Sequence, residues 1–277
     1  MIYRIKSGDS LFKIARAHEL TLNELLALNP RFKANPNSIN VGDEVVVRPP
    51  STESEPEQVL LPPLDPPSVA NNSSYFEVSM GQLTFDAEGM EVEGPYFSRR
   101  PHVPGAWSGV TIGRGYDMKE RSKEEIVSDL TAAGVPSDVA NKLGECSGLM
   151  GNHAETFLAQ RDYDELLISP GQQKRLFLLT YQELEGDVLR ICSKADVVAK
   201  YGSTQWQALN PYIRDIAVDL RYRGDYTPAT RQRVQPVLVE NDLVGMKRVI
   251  GDRDYWVGQR RVPLDRFKRR KNYLENV

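Results

Sequence analysis

The sequence predicts an α+β protein: a small βααβ module tied to a larger domain with a small, partly β lobe and a mainly helical lobe. Three observations carry this expectation. Residues 1–49 read strand, helix, helix, strand. Residues 50–73, "PSTESEPEQVLLPPLDPPSVANNS", are rich in Pro, Ser and acid, and read as a stiff, solvated linker. The remaining stretch, 74–277, opens with Gly- and Pro-rich short β-like runs and continues as a series of capped helical segments.

Within the first module, "IYRIK" alternates apolar and polar residues as a half-buried strand does. "SGDS" has turn chemistry and offers Asp9 as an N-cap. "LFKIARAHEL" places Leu11, Ile14 and Ala15 on one helical face. Thr21 and Glu24 form a T-x-x-E capping box before "LNELLALN", and Pro30 stops that helix. "VGDEVVVRP" closes the module as a strand.

In the larger domain, "FEVSMGQLTFDAEG" fits neither the helical nor the strand period well, although Gly89 suits a helix C-terminus. Ser122 and Glu125 form a capping box before "KEEIVSDLTAAG", with Gly134 as the stop. Ser169-Pro170 and Asn210-Pro211 are further helix starts, the latter placing Ile213, Ile216, Ala217 and Leu220 on one face.

Composition narrows the function classes. The chain has 277 residues, 26% charged and 40% hydrophobic, an ordinary mix able to bury a core. No apolar run approaches a membrane span. "MIYRIKSGDSLFKIA" lacks an apolar h-region and a small-residue cleavage site, so no secretory signal is expected. The three His and two Cys are scattered, so no metal site and no cofactor are expected. The net charge of −3 conceals a basic end: residues 246–277 carry +6, including "RFKRRKNYLENV". This run reads either as a solvated helix face or as a polyanion site. With an acidic body, a dedicated nucleic-acid binder is not expected.

The first module resembles LysM, a βααβ domain that binds N-acetylglucosamine polymers. The resemblance rests on Tyr3, Ile5, Ser7 to Leu11, Ile14-Ala15, Leu25, Asn29-Pro30, Ile39, Val41-Gly42 and Val45 to Pro49. It implies residues 1–49 as a peptidoglycan-binding domain, with Gly8, Asp9, Ser10, Leu11, Asn29 and Pro30 in the sugar groove. Asp9 and Asn29 read equally well as residues that shape turns. A tethered second site would raise local substrate concentration without altering the chemistry.

The stretch "SGVTIGRGYDM", residues 108–118, sets three glycines around Thr111, Arg114 and Asp117. Its G-x-x-x-G-x-G order matches neither a dinucleotide fingerprint nor a P-loop. A hairpin turn explains the glycines but not the polar residues. Glycoside hydrolysis requires two groups flanking the scissile bond, one a partly buried acid that keeps its proton. Asp86, Glu88, Glu91 and Glu93 are candidate acids, and Thr111 and Asp117 candidate partners. Residue types alone do not choose between Glu88-Gly89 and Glu93-Gly94.

"LTFDAEG", "SRRPHVP" and "SGVTIGRGYDM" together resemble the lysozyme-like catalytic domain of pesticin and related bacterial toxins, itself kin to phage lysozymes. That group spaces its acid, Thr and Asp as Glu88, Thr111 and Asp117 are spaced here, 23 and 6 residues apart. Ordinary phage lysozymes place their second acid six positions before the Thr, where this chain has Gly105. The resemblance implies a pesticin-like lysozyme domain over 74–277, a muramidase cleaving the β-1,4 bond between N-acetylmuramic acid and N-acetylglucosamine. It implies Glu88 as general acid, Asp117 as the group holding the water, and Thr111 as its orienter, on an inverting course. Arg99 and His102 would rim the cleft and meet stem-peptide carboxylates, or serve simply as surface-loop residues.

The implied setting is an antibacterial effector. It would be made in the cytoplasm and act at the cell wall or periplasm of a target cell after non-classical export or lysis. Its partners would be peptidoglycan glycan strands, a cognate immunity protein and a secretion-machine component. The alternatives are a phage-type endolysin of the same chemistry and a non-catalytic cell-wall-binding protein. A cysteine peptidase built on Cys146 and His153, or a metal-dependent amidase, lacks a supporting constellation.

Overall fold

The computed structural model describes residues 1–6, 9–18, 20, 22–33, 39–47, 73–161 and 163–277. The expected linker, apart from Ser73, lies outside the described residues, as do Gly8 and Thr21. The chain divides into two compact units, Met1–Gln58 with Glu183–Val277, and Val59–Gln182. No helix among the described residues is long and apolar enough to cross a membrane.

The N-terminal module has the expected order. Strand β1 (Ile2–Arg4) pairs antiparallel with β2 (Glu44–Val46), Tyr3 opposite Val45; helices α1 (Leu11–Ala17) and α2 (Leu22–Leu28) lie between them in sequence. Ile5, Leu11, Ile14, Ala15, Leu25, Phe32, Val45 and Val47 form its core. The cap of α1 differs from expectation. Ser10 Oγ accepts the Lys13 N–H at 3.2 Å, the N-cap bond. The Asp9 carboxylate instead turns back to the strand, accepting the Lys6 N–H at 2.7 Å and the Tyr3 hydroxyl at 2.9 Å. Pro30 does end α2, by opening a single 3-10 turn, Pro30–Phe32.

In the unit Val59–Gln182, helix α3 (Gln82–Glu88) leads to the hairpin of β3 (Thr111–Ile112) and β4 (Tyr116–Asp117), followed by α4 (Lys123–Ala132), α5 (Ser137–Gly144), α6 (Gly151–Ala159) and the first half of α7 (Pro170–Cys192). The ambiguous "FEVSMGQLTFDAEG" is resolved by Gly81, whose φ of +71° turns the chain into α3. A Cβ there would come within 2.2 Å of the Tyr181 ring, so the position demands glycine twice over. The Ser122–Glu125 capping box forms with both its bonds, at 3.2 and 2.9 Å. A second box, not foreseen as such, opens α7: Ser169 Oγ accepts the Gln172 N–H at 3.2 Å and Gln172 Oε1 accepts the Ser169 N–H at 2.8 Å.

The β part is smaller than the sequence predicts. Beyond the two-residue strands, pairing reduces to single bridges between His102 and Thr111 and between Gly109 and Met150. Glycines and prolines recur too often between residues 89 and 115 for a longer ladder. The hairpin is nevertheless well seated. Val110, Ile112, Tyr116 and Met118 point into a core with Ile126, Leu130, Leu143, Ile168 and Leu176. Tyr116 donates its hydroxyl to the buried Asp129 of α4 at 2.7 Å.

From Glu183 onward the chain is helical: the rest of α7, then α8 (Ala195–Tyr201), α9 (Pro211–Tyr222), α10 (Pro228–Val239), α11 (Leu243–Ile250), a π-helical turn at Asp254–Gln259 and α12 (Leu264–Glu275). Asn210 caps α9 through the Tyr212 N–H at 3.0 Å, as its Asn-Pro start implies. The basic end is not simply a solvated face. Arg266 and Arg270 turn inward onto Asp219, each at 2.6 Å, and Arg270 also reaches Asp225 at 2.7 Å. Burial penalises the Asp219 charge, but the two guanidinium groups outweigh it and hold its pKa below the usual carboxylate range. Lys268, Arg269 and Lys271 of the same helix remain exposed.

Candidate active site

The hairpin alternates strictly. With Val110, Ile112, Tyr116 and Met118 on the core side, Thr111 and Asp117 fall on the other. They are direct cross-strand partners, so their side chains leave the same face side by side. On the far flank of Thr111 lies His102. The two exchange both backbone bonds, at 3.0 and 2.8 Å, which puts the imidazole on that same face. His102, Thr111 and Asp117 therefore form one row across three chain segments.

Each member of the row is fixed. Asp117 Oδ2 accepts the Gly109 N–H at 3.1 Å and Oδ1 accepts the Lys119 N–H at 2.9 Å, with Lys119 Nζ 4.0 Å away. Gly109 is required here: a Cβ would stand 2.4 Å from Asp117 Oδ1. The Thr111 hydroxyl donates to the Gly109 carbonyl at 3.3 Å. Since a carbonyl only accepts, the 2.9 Å contact of His102 Nδ1 with the Arg100 oxygen places the proton of the neutral ring on Nδ1. Burial pushes the His102 pKa down, only partly offset by that bond.

Glu88 is the last residue of α3 and is half-buried. Its helix is fastened to the hairpin by Arg114, the residue between the two turn glycines. Gly113 and Gly115 have φ of +65° and +83°, which frees the turn to project the arginine. The guanidinium stacks 3.7 Å from the Phe85 ring centroid, donates to the Phe85 carbonyl in the last turn of α3, and reaches Glu91 Oε1 at 2.8 Å. Gly89 caps the C-terminus of α3, as expected. Its φ of −107° is extended, and its purpose is space: a Cβ would lie 1.9 Å from Arg114 Nη1. Ser98 completes the stitching. Its N–H donates to the Met90 carbonyl at 2.9 Å, its Oγ accepts the Met90 N–H at 2.7 Å, and its carbonyl takes the Gly113 N–H at 2.6 Å.

These contacts separate the four candidate acids. Glu91 takes donors from Arg114, from Gln173 at 2.7 Å and from Arg99 at 3.3 Å, and so serves the frame. Glu93 is 71% exposed and pairs with Arg100 at 3.6 Å. Asp86 is exposed and accepts from Gln82 at 2.8 Å. Glu88, half-buried like Glu91, ends the helix whose last turn Arg114 fastens to the hairpin. Arg114 and Glu91 are the site's missed framework residues. The signal was available: an arginine flanked by turn glycines has no reason to be there unless it reaches something.

In the N-terminal module, Leu11 is in the core and Asn29 is 5% exposed. Asn29 donates to the Leu25 and Val46 carbonyls at 2.8 and 2.9 Å and accepts the Val46 N–H at 2.8 Å, so its amide braces α2 against β2. Pro30 is exposed, Asp9 and Ser10 half-buried.

A family model described as "Domain of unknown function (DUF8812)" matches residues 81–271. The chain belongs to this family. Its DUF8812 domain thus begins at the cap of α3 and contains the whole His102–Thr111–Asp117 row. A LysM domain model matches residues 3–48, ahead of the DUF8812 domain. The endolysin of Bacillus phage PZA is 51% identical over 45 residues, 16% of this chain and 17% of that protein; the match falls on the LysM region. The chain therefore matches under a fifth of that relative's length.

Proposed function

We propose that this chain is a peptidoglycan hydrolase of the muramidase class, its DUF8812 domain having the lysozyme-like character read from the sequence. The observation that carries the proposal is the pairing of the buried Thr111 with the half-buried Asp117 on the face of the hairpin opposite its apolar side, the hairpin being tied by Arg114 to the helix ending in Glu88. A LysM module that binds glycan strands supplies the matching substrate.

In this reading Glu88 donates its proton to the glycosidic oxygen between N-acetylmuramic acid and N-acetylglucosamine, and the C–O bond on the muramic side breaks. A water attacks the anomeric carbon from the opposite face while Asp117 takes its proton. Two of the four lone-pair positions of Asp117 are occupied by backbone N–H groups, which leaves acceptor capacity for the water and fixes the carboxylate against rotation. The Thr111 hydroxyl spends its proton on Gly109, so its oxygen receives a hydrogen from the same water. A paired Thr and Asp suits an inverting course, in which the two carboxyl groups stand about 6.5–9.5 Å apart. Asp117 would thus do from β4 what ordinary phage lysozymes do from the position of Gly105.

The proposed setting is an antibacterial effector with an immunity protein in the producer. The likeness of the LysM region to a phage endolysin favours a second setting, an endolysin of the same chemistry. Digestion of purified sacculi followed by mass spectrometry tests the class. New reducing-end N-acetylmuramic acid supports a muramidase, whereas free stem peptides or intact glycan would exclude it. Proton NMR of early products tests the course: initial α-anomer supports inversion, and net retention contradicts it.

A further inference from the structure

The DUF8812 domain exposes aromatic side chains at both ends of the His102–Thr111–Asp117 row. Trp107 is 80% exposed, the most exposed large hydrophobic residue among those described, and Tyr96 is 53% exposed. The Tyr96 ring touches the row, and the backbone of Trp107 is tied to it. The Tyr96 ring meets the His102 imidazole edge-on, with centroids 6.2 Å apart. At the other end, the Lys119 ammonium beside Asp117 donates to the Trp107 carbonyl at 2.9 Å.

Trp107 is also held from behind. The Ser108 N–H bonds to the Gly105 carbonyl at 2.9 Å, and the Ser108 carbonyl receives the Gly151 N–H at 3.0 Å. Gly151 leaves no room for a side chain, since a Cβ would stand 2.6 Å from the Ala106 oxygen. A pinned backbone spares the loop its ordering cost on binding, and the wide apolar face of the indole with a single N–H suits a ligand that is apolar on one face and polar at its edges. A β-linked pyranose has this form: axial C–H groups on the face, hydroxyl and acetamido groups at the rim.

We propose that Trp107 and Tyr96 are sugar-stacking platforms that seat a β-1,4-linked N-acetylated glycan across the row, one on each side of Thr111. The proposal rests on the muramidase reading for its choice of ligand, but it concerns binding and not bond cleavage. Sugar contact, not stem peptide, is favoured because no charged group of the row is unengaged: Asp117 faces Lys119, and His102 is held neutral by burial.

The sequence provides a clean reporter. It contains three tryptophans, and Trp206 and Trp256 are buried, while the LysM module has none. Acrylamide quenching of tryptophan emission in the full chain carrying Glu88→Gln therefore reads Trp107, and glycan bound to LysM is silent. The probe is a peptide-free hexasaccharide of alternating N-acetylglucosamine and N-acetylmuramic acid. Saturating glycan should lower the quenching constant by about half or more, and Trp107→Phe should abolish the quenchable component. In any cleavage assay, Trp107→Ala should raise KM about tenfold with kcat nearly unchanged. Unchanged quenching at glycan levels that calorimetry shows to saturate the chain would overturn the proposal, as would equal protection by stem peptide alone. Protection without any cleavage by the native chain keeps the platforms and rejects the muramidase; cleavage without protection rejects the platforms only.

Discussion

Arg114 Nη2 lies 2.8 Å from Glu91 Oε1, and this contact joins the turn of the hairpin to the loop that follows α3. The arginine is 4% exposed and Glu91 27%. The pair does not touch the proposed reacting atoms; it sets where the end of α3 stands relative to Thr111 and Asp117.

Replacing Arg114 by Ala should cost about 2–4 kcal/mol of stability, because a buried carbonyl and a carboxylate lose their donor. Lys should recover only part, since it cannot stack and fork at once. Gly89→Ala should mimic the loss by displacing the guanidinium. Urea unfolding measures the stability change. On soluble glycan, kcat should fall while KM changes little.

Asp117→Asn should lower kcat about a hundredfold to ten-thousandfold. The amide cannot take the water's proton, and its NH2 would face either the Gly109 or the Lys119 N–H. Co-sedimentation with sacculi should be unaffected, because the LysM module is untouched. Wild-type turnover by the variant would remove Asp117 from the reaction.

Asp219 makes a pH-dependent contribution in the helical unit. Its folded pKa is depressed by Arg266 and Arg270, so the stabilisation is complete well above the unfolded value of about 3.9. It is lost as pH falls from there through the folded pKa. Asp219→Asn should destabilise the native state by about 3–5 kcal/mol at neutral pH, because two buried guanidinium groups lose the anion they share and Arg270 keeps only Asp225. Thermal unfolding followed from pH 7 to 2 should show a smaller acid-dependent fall in the variant than in the native chain.

Cys146 is buried, and burial pushes its thiol up to about 12, with the Glu145 charge adding to the effect. It should therefore resist iodoacetamide at pH 7.5 in the folded chain and react once the chain is unfolded in urea. Peptide mass mapping reads this directly. Labelling of native Cys146 would show an activated thiol and reopen a nucleophilic role.

Asn29→Ala should destabilise the LysM module by about 2–3 kcal/mol, since two carbonyls and one N–H lose their partner. Binding to sacculi should weaken through loss of the fold.

The elements were legible where local chemistry decides them. The Ser122–Glu125 box, the Asn210-Pro211 start and the alternation in the LysM strands all rest on neighbours in sequence. The hairpin was legible from its glycines. What local pattern could not show is where long polar side chains go. Asp9 reads as a cap but bonds back to Tyr3; Gly89 reads as a helix stop, and is one, but it also makes room for Arg114; half of the "RFKRR" charge is buried on Asp219, nearly fifty residues away. Each is a tertiary contact with no sequence period. The same holds for the candidate site. The spacing of Glu88, Thr111 and Asp117 could be read directly, whereas the framework role of Glu91 lies in three donors from other segments.

Glu88 is proposed to supply the proton for glycan cleavage. The most direct measurement is the release of reducing ends from purified peptidoglycan by the native chain and by Glu88→Gln, compared at equal binding to sacculi. Steady release by the native chain and a loss of about a thousandfold or more in the variant are expected. Full activity in Glu88→Gln would contradict this role.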